Sequence, residues 1–200
     1  MDRDFVVAIT GASGACYAKR LVEKLVAGQE NVHLIVSPHG RRLFADELDI
    51  QSVSAETLIG GPSHRLVVYS YDDLGSKPAS GSFLTSGMVI CPASSNTVAS
   101  VASGLGDNLI SRAAQVTLKE SRRLIVVPRE MPVSQIGLEN LVRISRAGGI
   151  VCPAMPGFYL LPKSIDELVD FVVGKILDLL DVGHDLNIRW QGQARLDRSG

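Results

Sequence analysis

Little in this chain of 200 residues is of the kind that marks disulfide-stapled, metal-binding or membrane-spanning proteins. The three cysteines, Cys16, Cys91 and Cys152, lie far apart and form no metal-ligand spacing. So sparse and odd a set reads as reduced thiols of a cytoplasmic protein, with no metal expected. The formal net charge is −1, so no global excess favours nucleic acid or an anionic membrane surface. No apolar run approaches the ~20 residues that a bilayer-spanning helix needs. Asp2, Arg3 and Asp4 precede the first apolar run, which has only the length of a strand and does not read as a secretory signal. Internal repeats, low-complexity stretches and dividing linkers are also missing. The four histidines, His33, His39, His64 and His184, fall in no recognisable catalytic frame and read as surface or strand-packing residues.

What is present is an alternation. Hydrophobic residues make up 46% of the chain, enough for an extensive buried sheet with some apolar surface hidden between subunits. Continuous apolar runs at 5–9, 32–36, 65–69, 88–91, 124–127 and 150–152 read as strands, the fourth stopping at Pro92. Between them, helical patterns are expected at 13–26, from Ser37-Pro38 towards Leu48, at 94–104, at 108–120 capped by Asp107, at 135–147 and at 165–180. Residues 50–64 read as a loop or short excursion. Ser164 and Glu167 form a capping box for the last helix. Alternation of buried strands with helices implies an α/β fold: a single doubly wound, Rossmann-like parallel sheet with helices on both faces. One domain over 1–190 and a polar tail over 191–200 are expected.

In such sheets ligands bind beyond the carboxyl ends of the strands, so the residues that follow each strand are the informative ones. The first strand runs into Thr10-Gly-Ala-Ser-Gly14 and then a helical pattern. A turn of this kind places backbone N–H groups and the positive end of a helix dipole where an anion, usually a phosphate, can sit. It is neither the full dinucleotide fingerprint nor an NTPase loop, which would carry a lysine. The other strand ends lead into Ser37, Pro92-Ala-Ser-Ser-Asn-Thr97, Pro128-Arg-Glu130 and Pro153-Ala-Met-Pro-Gly-Phe-Tyr159. Hydroxyls, glycine, an arginine, a glutamate and a tyrosine suit a phosphorylated ligand with a polar, ring-like head group.

Several of these segments, with Glu47, Ser80-Gly-Ser82, the run from Arg112 to Glu120 and the terminal Arg189-Trp190, resemble the UbiX-type flavin prenyltransferases, in order from residue 5 to about 192. The turn at 92–97 also resembles the flavin clamp of the related flavin-dependent cysteine decarboxylases. The resemblance implies an enzyme that binds reduced FMN and joins a dimethylallyl group to its N5 and C6. The donor implied is dimethylallyl monophosphate, phosphate leaves, and no metal takes part. It also implies a UbiD-type decarboxylase as recipient of the prenylated flavin, and a homododecamer with sites at subunit junctions.

By the same resemblance Gly11, Ala12, Ser13, Ser37, Ser94, Ser95, Asn96, Thr97 and Arg129 hold FMN. Arg112, Lys119, Arg129, Tyr159 and Lys175 bind the prenyl phosphate, where fixed cations stabilise the charge that builds on the leaving group. Arg112 and Lys119 stand seven residues apart, on one helical face. Glu47 and Glu130 are the acid/base candidates, because ring closure must release a proton, and Ser13 relays protons beside Glu130. The chain departs from the family at Lys175, where arginine is usual, and at Leu74, where some relatives carry an aromatic. Lysine keeps the charge but gives up the guanidinium fork.

Other classes fit less well. A flavin-dependent decarboxylase would need a histidine after an early strand and a Pro-x-Met-Asn clamp, where this chain reads Pro128-Arg-Glu-Met-Pro132. Tyr159 and Lys163 match the Tyr-x-x-x-Lys pair of short-chain dehydrogenases, but Pro162 blocks the helical turn they would share. A flavin carrier would need the FMN turns without acid or phosphate groups.

Overall fold

The computed structural model describes residues 2–186, 188 and 189. In chain order the elements are β1 (Asp4–Ile9), α1 (Ala15–Ala27), β2 (Asn31–Val36), α2 (Pro38–Leu48), α3 (Ala55–Ile59), β3 (Leu66–Tyr69), β4 (Gly87–Ala93), α4 (Ser95–Ala102), α5 (Leu109–Lys119), β5 (Leu124–Pro128), α6 (Gln135–Arg146), β6 (Ile150–Val151) and α7 (Ile165–Leu179). Among the described residues the strands form one six-stranded sheet of order β3-β2-β1-β4-β5-β6, with every pairing parallel. Trp190 and the polar tail over 191–200 lie outside the described residues.

Strand geometry sends successive side chains to opposite faces, and both faces here are buried. Phe5, Val7 and Ile9 enter one core with Leu21, Leu25 and Phe44, and with Val173 and Ile176 of α7. Val6 and Ala8 enter the other with Met88, Ile90, Ile110, Ala114 and Ile144, beneath α4, α5 and α6. A sheet covered on both faces needs nearly continuous apolar strands, which is what the sequence supplies.

Three element ends and one cap differ from the sequence expectation for physical reasons. β4 continues through Pro92 to Ala93. Its ladder with β1 ends at Ala8 and Ile90, so the N–H that proline lacks is not needed there. α5 is capped by Asn108, not Asp107. The Asn108 side chain accepts from Ile110 N and Ser111 N at 3.0 and 3.1 Å, while Asp107 accepts from the Ser111 hydroxyl at 3.2 Å. α1 starts at Ala15 because Gly14 takes φ +118°, outside the helical region, where a Cβ would also meet the Tyr17 ring at 2.8 Å. At α7, Ser164 accepts from Glu167 N at 3.2 Å, but the Glu167 carboxylate reaches back to Lys163 N at 2.7 Å and leaves the capping box half closed.

Candidate functional site

Strand order reverses between β1 and β4, so the crevice beyond their carboxyl ends is where a ligand is expected. Thr10 closes its floor. Its buried hydroxyl donates to the Pro92 carbonyl at 2.8 Å and accepts from Ser94 N at 2.8 Å. The turn of Gly11, Ala12 and Ser13 rises from this point. Gly11 must be glycine, because a Cβ would lie 2.6 Å from that of His39.

The start of α1 is already occupied by an anion, and it belongs to the chain itself. Glu47, from the end of α2, accepts from Gly14 N at 3.0 Å and Ala15 N at 2.8 Å. These two N–H groups are therefore engaged within the chain itself. Ser37 caps α2, its side chain accepting from Gly40 N at 3.0 Å. Ser94 caps α4, accepting from Thr97 N at 3.4 Å with the Thr97 hydroxyl 3.1 Å away. The side chains of Ser13, Ser95 and Asn96 are exposed and make no hydrogen bond among the described residues.

Arg129 and Glu130 come to this edge on the turn after β5. The Arg129 guanidinium donates from Nε to the Ser13 carbonyl at 3.0 Å, which joins the β5 turn to the β1 turn. Glu130 is the only ionisable group lining an apolar cavity of about 150 Å³ with Ala93, Val98, Pro128, Val133 and Leu138 among its walls. Thus Gly11, Ala12, Ser13, Ser37, the turn at 94–97, Arg129 and Glu130 all meet at one edge of the sheet.

The phosphate-binding candidates do not gather there as one set. Tyr159 packs edge-on against Phe171 with ring centroids 5.6 Å apart, and Lys175 shares a groove with Phe171, Cys152 and Met155. Gly157 allows this, since a Cβ would meet both aromatic rings within 3 Å. Arg112 and Lys119 share one flank of α5, as the spacing predicts, but it is the flank covered by the loop at 79–83. Arg112 Nε donates to the Ala79 carbonyl at 3.1 Å. Lys119, half exposed, pairs with Glu120 at 2.5 Å and holds that carboxyl below its ordinary range. Its ammonium lies 3.0 Å from where a Gly81 Cβ would stand, and Arg122 anchors the same loop through the carbonyls of Gly81 and Phe83.

Arg122 and Arg123 immediately precede β5, and the Arg123 carbonyl accepts from Met88 N at the start of β4. Lys119 therefore stands at the amino edge of the sheet, opposite the edge that carries Ser13 and Arg129.

Sequence reasoning missed Thr10 as a bridge, Glu47 as a helix cap and Arg122 as a loop anchor. A lone hydroxyl at a strand end signalled only the first. Cys91 is fully buried and its thiol is pushed far up by that burial; Cys16 and Cys152 are raised for the same reason. His33 is buried between Asp4 (2.8 Å) and the Tyr69 hydroxyl (3.0 Å), and His184 contacts Asp178 at 3.2 Å. His39 and His64 are exposed. No group of three or more His, Cys, Asp or Glu among the described residues could hold a metal ion, and no described helix is long and apolar enough to cross a membrane.

The chain is similar to known proteins over nearly its whole length. The family model Flavoprotein matches residues 2–177. A flavin prenyltransferase UbiX of Halalkalibacterium halodurans is 44% identical over 199 residues, covering 98% of this chain and 96% of its own. Among solved structures, AnUbiX (PadA1) in complex with FMN and dimethylallyl pyrophosphate superposes with a TM-score of 0.88 at 37% identity, over 96% of this chain and all of that one. A dodecameric FMN-dependent UbiX-like decarboxylase from Escherichia coli O157:H7 gives 0.86 at 36% identity, over 95% of this chain and all of its own.

Proposed function

The chain belongs to the Flavoprotein family, and on that premise we infer that it is a flavin prenyltransferase, joining a dimethylallyl group to reduced FMN with release of phosphate. The observation that carries the reading is the meeting of Ser13, the turn at 94–97, Arg129 and Glu130 at the strand-order reversal. The donor set fits FMN. Exposed hydroxyls and an amide suit the ribityl chain and ring edge, a guanidinium suits phosphate, and the apolar cavity beside Glu130 accepts hydrocarbon.

FMN is a substrate here. In the proposed reaction the donor's C1–O bond breaks, phosphate takes the electron pair, and flavin N5 bonds to C1 with loss of the N5 proton. The donor's C2=C3 double bond then takes a proton at C2, and flavin C6 bonds to C3. The C6 proton must then leave. Glu130, on the wall of the apolar cavity, is proposed to accept it, with Ser13 as relay. Glu47 is the second acid/base candidate, though its carboxylate is engaged at the start of α1. Arg112, Lys119, Arg129, Tyr159 and Lys175 are proposed to bind the phosphate of dimethylallyl monophosphate.

The placement of Lys119 at the far edge supports a site assembled between copies of the chain, in which Arg112 and Lys119 of one subunit serve the flavin turns of another. A homododecamer, as in the E. coli neighbour, is the proposed assembly. Exposed Met131, Ile136, Phe158, Leu161 and Ile165 supply apolar contact surface for it. A UbiD-type decarboxylase is the proposed recipient of the product. Sparse free thiols support a cytoplasmic setting, with residues 1–190 as the flavin domain and 191–200 as a polar tail.

The test is anaerobic incubation of the protein with reduced FMN and dimethylallyl monophosphate, followed by mass spectrometry. A flavin carrying one five-carbon unit is expected. Bound flavin without the adduct, with either the monophosphate or the diphosphate donor, would make the protein a carrier.

A further inference from the structure

The regular ladder of β1 with β4 runs as far as Ala8 and Ile90, and the register of β4 against β5 shifts between Ile90 and Ala93. Beyond that point a single backbone bond joins the end of β1 to the end of β4, where the two turns that frame the crevice start. One side chain reinforces it. The Thr10 hydroxyl donates to the Pro92 carbonyl and accepts from Ser94 N, both at 2.8 Å, and Thr10 N also donates to the Pro92 carbonyl at 3.2 Å.

Each partner passes the constraint on. The Thr10 carbonyl accepts from Ala12 N at 2.9 Å and so shapes the turn that presents Ser13. Ser94, held by its N–H, is the residue whose hydroxyl caps α4 and opens the turn at 94–97. Thr10 itself is 1% exposed, so its hydroxyl has almost no access to solvent. A hydroxyl donates and accepts at a single atom. Valine would fill the same volume and do neither, leaving the half-buried Ser94 N–H without this partner.

We propose that Thr10 is a positioning residue for prenyl transfer, its hydroxyl setting the separation of the Gly11–Ser13 turn from the turn at 94–97 and hence the seat of the flavin between them. This rests on the reading of those two turns as the flavin-holding ones. A role in folding alone would make Thr10 a stability residue with no signature in the flavin.

The experiment compares Thr10→Ser, Thr10→Val and Thr10→Ala with wild type. It measures FMN affinity by flavin fluorescence, the rate of adduct formation at saturating FMN and donor, and the thermal midpoint. Thr10→Ser keeps the hydroxyl and is expected within about twofold of wild type in affinity and rate and within a few degrees, roughly, in thermal midpoint. Thr10→Val is expected to weaken FMN binding by roughly tenfold or more and to slow adduct formation even at saturation, because misplaced groups lower the rate once bound. Should Thr10→Val yield no folded protein, the ratio of Thr10→Ala to Thr10→Ser decides by the same criteria. A Thr10→Val protein with a lowered midpoint but wild-type affinity and rate overturns the proposal. So does a Thr10→Ser protein as impaired as Thr10→Val. Failure of the functional reading looks different: wild type itself then binds no FMN or forms no adduct.

Discussion

The Glu47 carboxylate lies 2.8 Å from the amide nitrogen of Ala15, at the first turn of α1. A side chain from the end of α2 thus meets the positive end of the α1 dipole and takes two of the donors that a helix start leaves unpaired. Loss of these bonds in Glu47→Ala is expected to cost about 1–2 kcal/mol, the range for removing an N-terminal cap. Glu47→Gln keeps an acceptor oxygen and should cost less. Chemical denaturation of both variants measures the difference. A Glu47→Gln protein with near-native stability but no adduct formation would assign the carboxylate to proton transfer as well.

Glu130 lines the apolar cavity and, among the described residues, makes no hydrogen bond to the turns proposed to hold the flavin. Glu130→Gln should therefore leave FMN affinity unchanged while stopping the adduct short of ring closure, a loss of roughly 100-fold or more for removal of a general base. Single-turnover mass spectrometry reads the outcome. Wild-type turnover in this variant would remove Glu130 from the mechanism.

Activity is expected from mixtures of two inactive proteins. Lys119→Ala damages one edge of the sheet and Glu130→Gln the other. If each site draws on two copies, co-assembled chains should regain roughly a quarter of wild-type activity, because random pairing in a symmetric oligomer leaves that share of sites intact. No recovery after verified co-assembly would place both groups in one chain.

Gly174 sits in mid-α7 under Ile188, where a Cβ would meet three side-chain atoms at 2.8, 2.9 and 3.2 Å. Alanine normally gains about 1 kcal/mol over glycine inside a helix. Here Ile188 is buried and branched at Cβ, so overpacking should outweigh that gain and leave Gly174→Ala destabilised by about 1 kcal/mol. A more stable variant would mean that the segment after α7 yields.

Burial raises all three thiols, Cys91 most, so each holds less thiolate at a given pH than a free cysteine. Titration with a thiol reagent at pH 8 should leave Cys91 unmodified until the protein is denatured. Cys16 and Cys152 should react slowly, and faster as pH rises above the ordinary thiol range. Rapid labelling of Cys91 in the native protein would contradict its burial.

Most of the fold was legible because both faces of the sheet are buried. Runs such as 5–9 and 124–127 are apolar throughout, and no surface helix reads that way. The misread boundaries have separate causes, one across the sheet and the others local to the chain. Pro92 remains in a strand because its neighbour's ladder has already ended, and Asn108 displaces Asp107 by one residue because both can cap. At the site, residues directly after strands were readable, since topology alone puts them on one edge. Glu47 was readable as a carboxylate near the site, but not as a cap for a helix more than thirty residues earlier. Lys119 and Arg112 were correctly placed on one helical face. That the far end of this face belongs to the other edge of the sheet follows only from the course of α5 between β4 and β5.

β6, the last strand of the sheet, is two residues long, and β3 at the other end has four. Edges this brief give a second sheet almost no unpaired backbone to continue from. In the proposed assembly, copies of the chain would meet through side chains such as Ile136 on α6 and Phe158 and Leu161 before α7. Contacts of that apolar kind would yield to detergent rather than to added salt, with the strand pairing within each copy left intact.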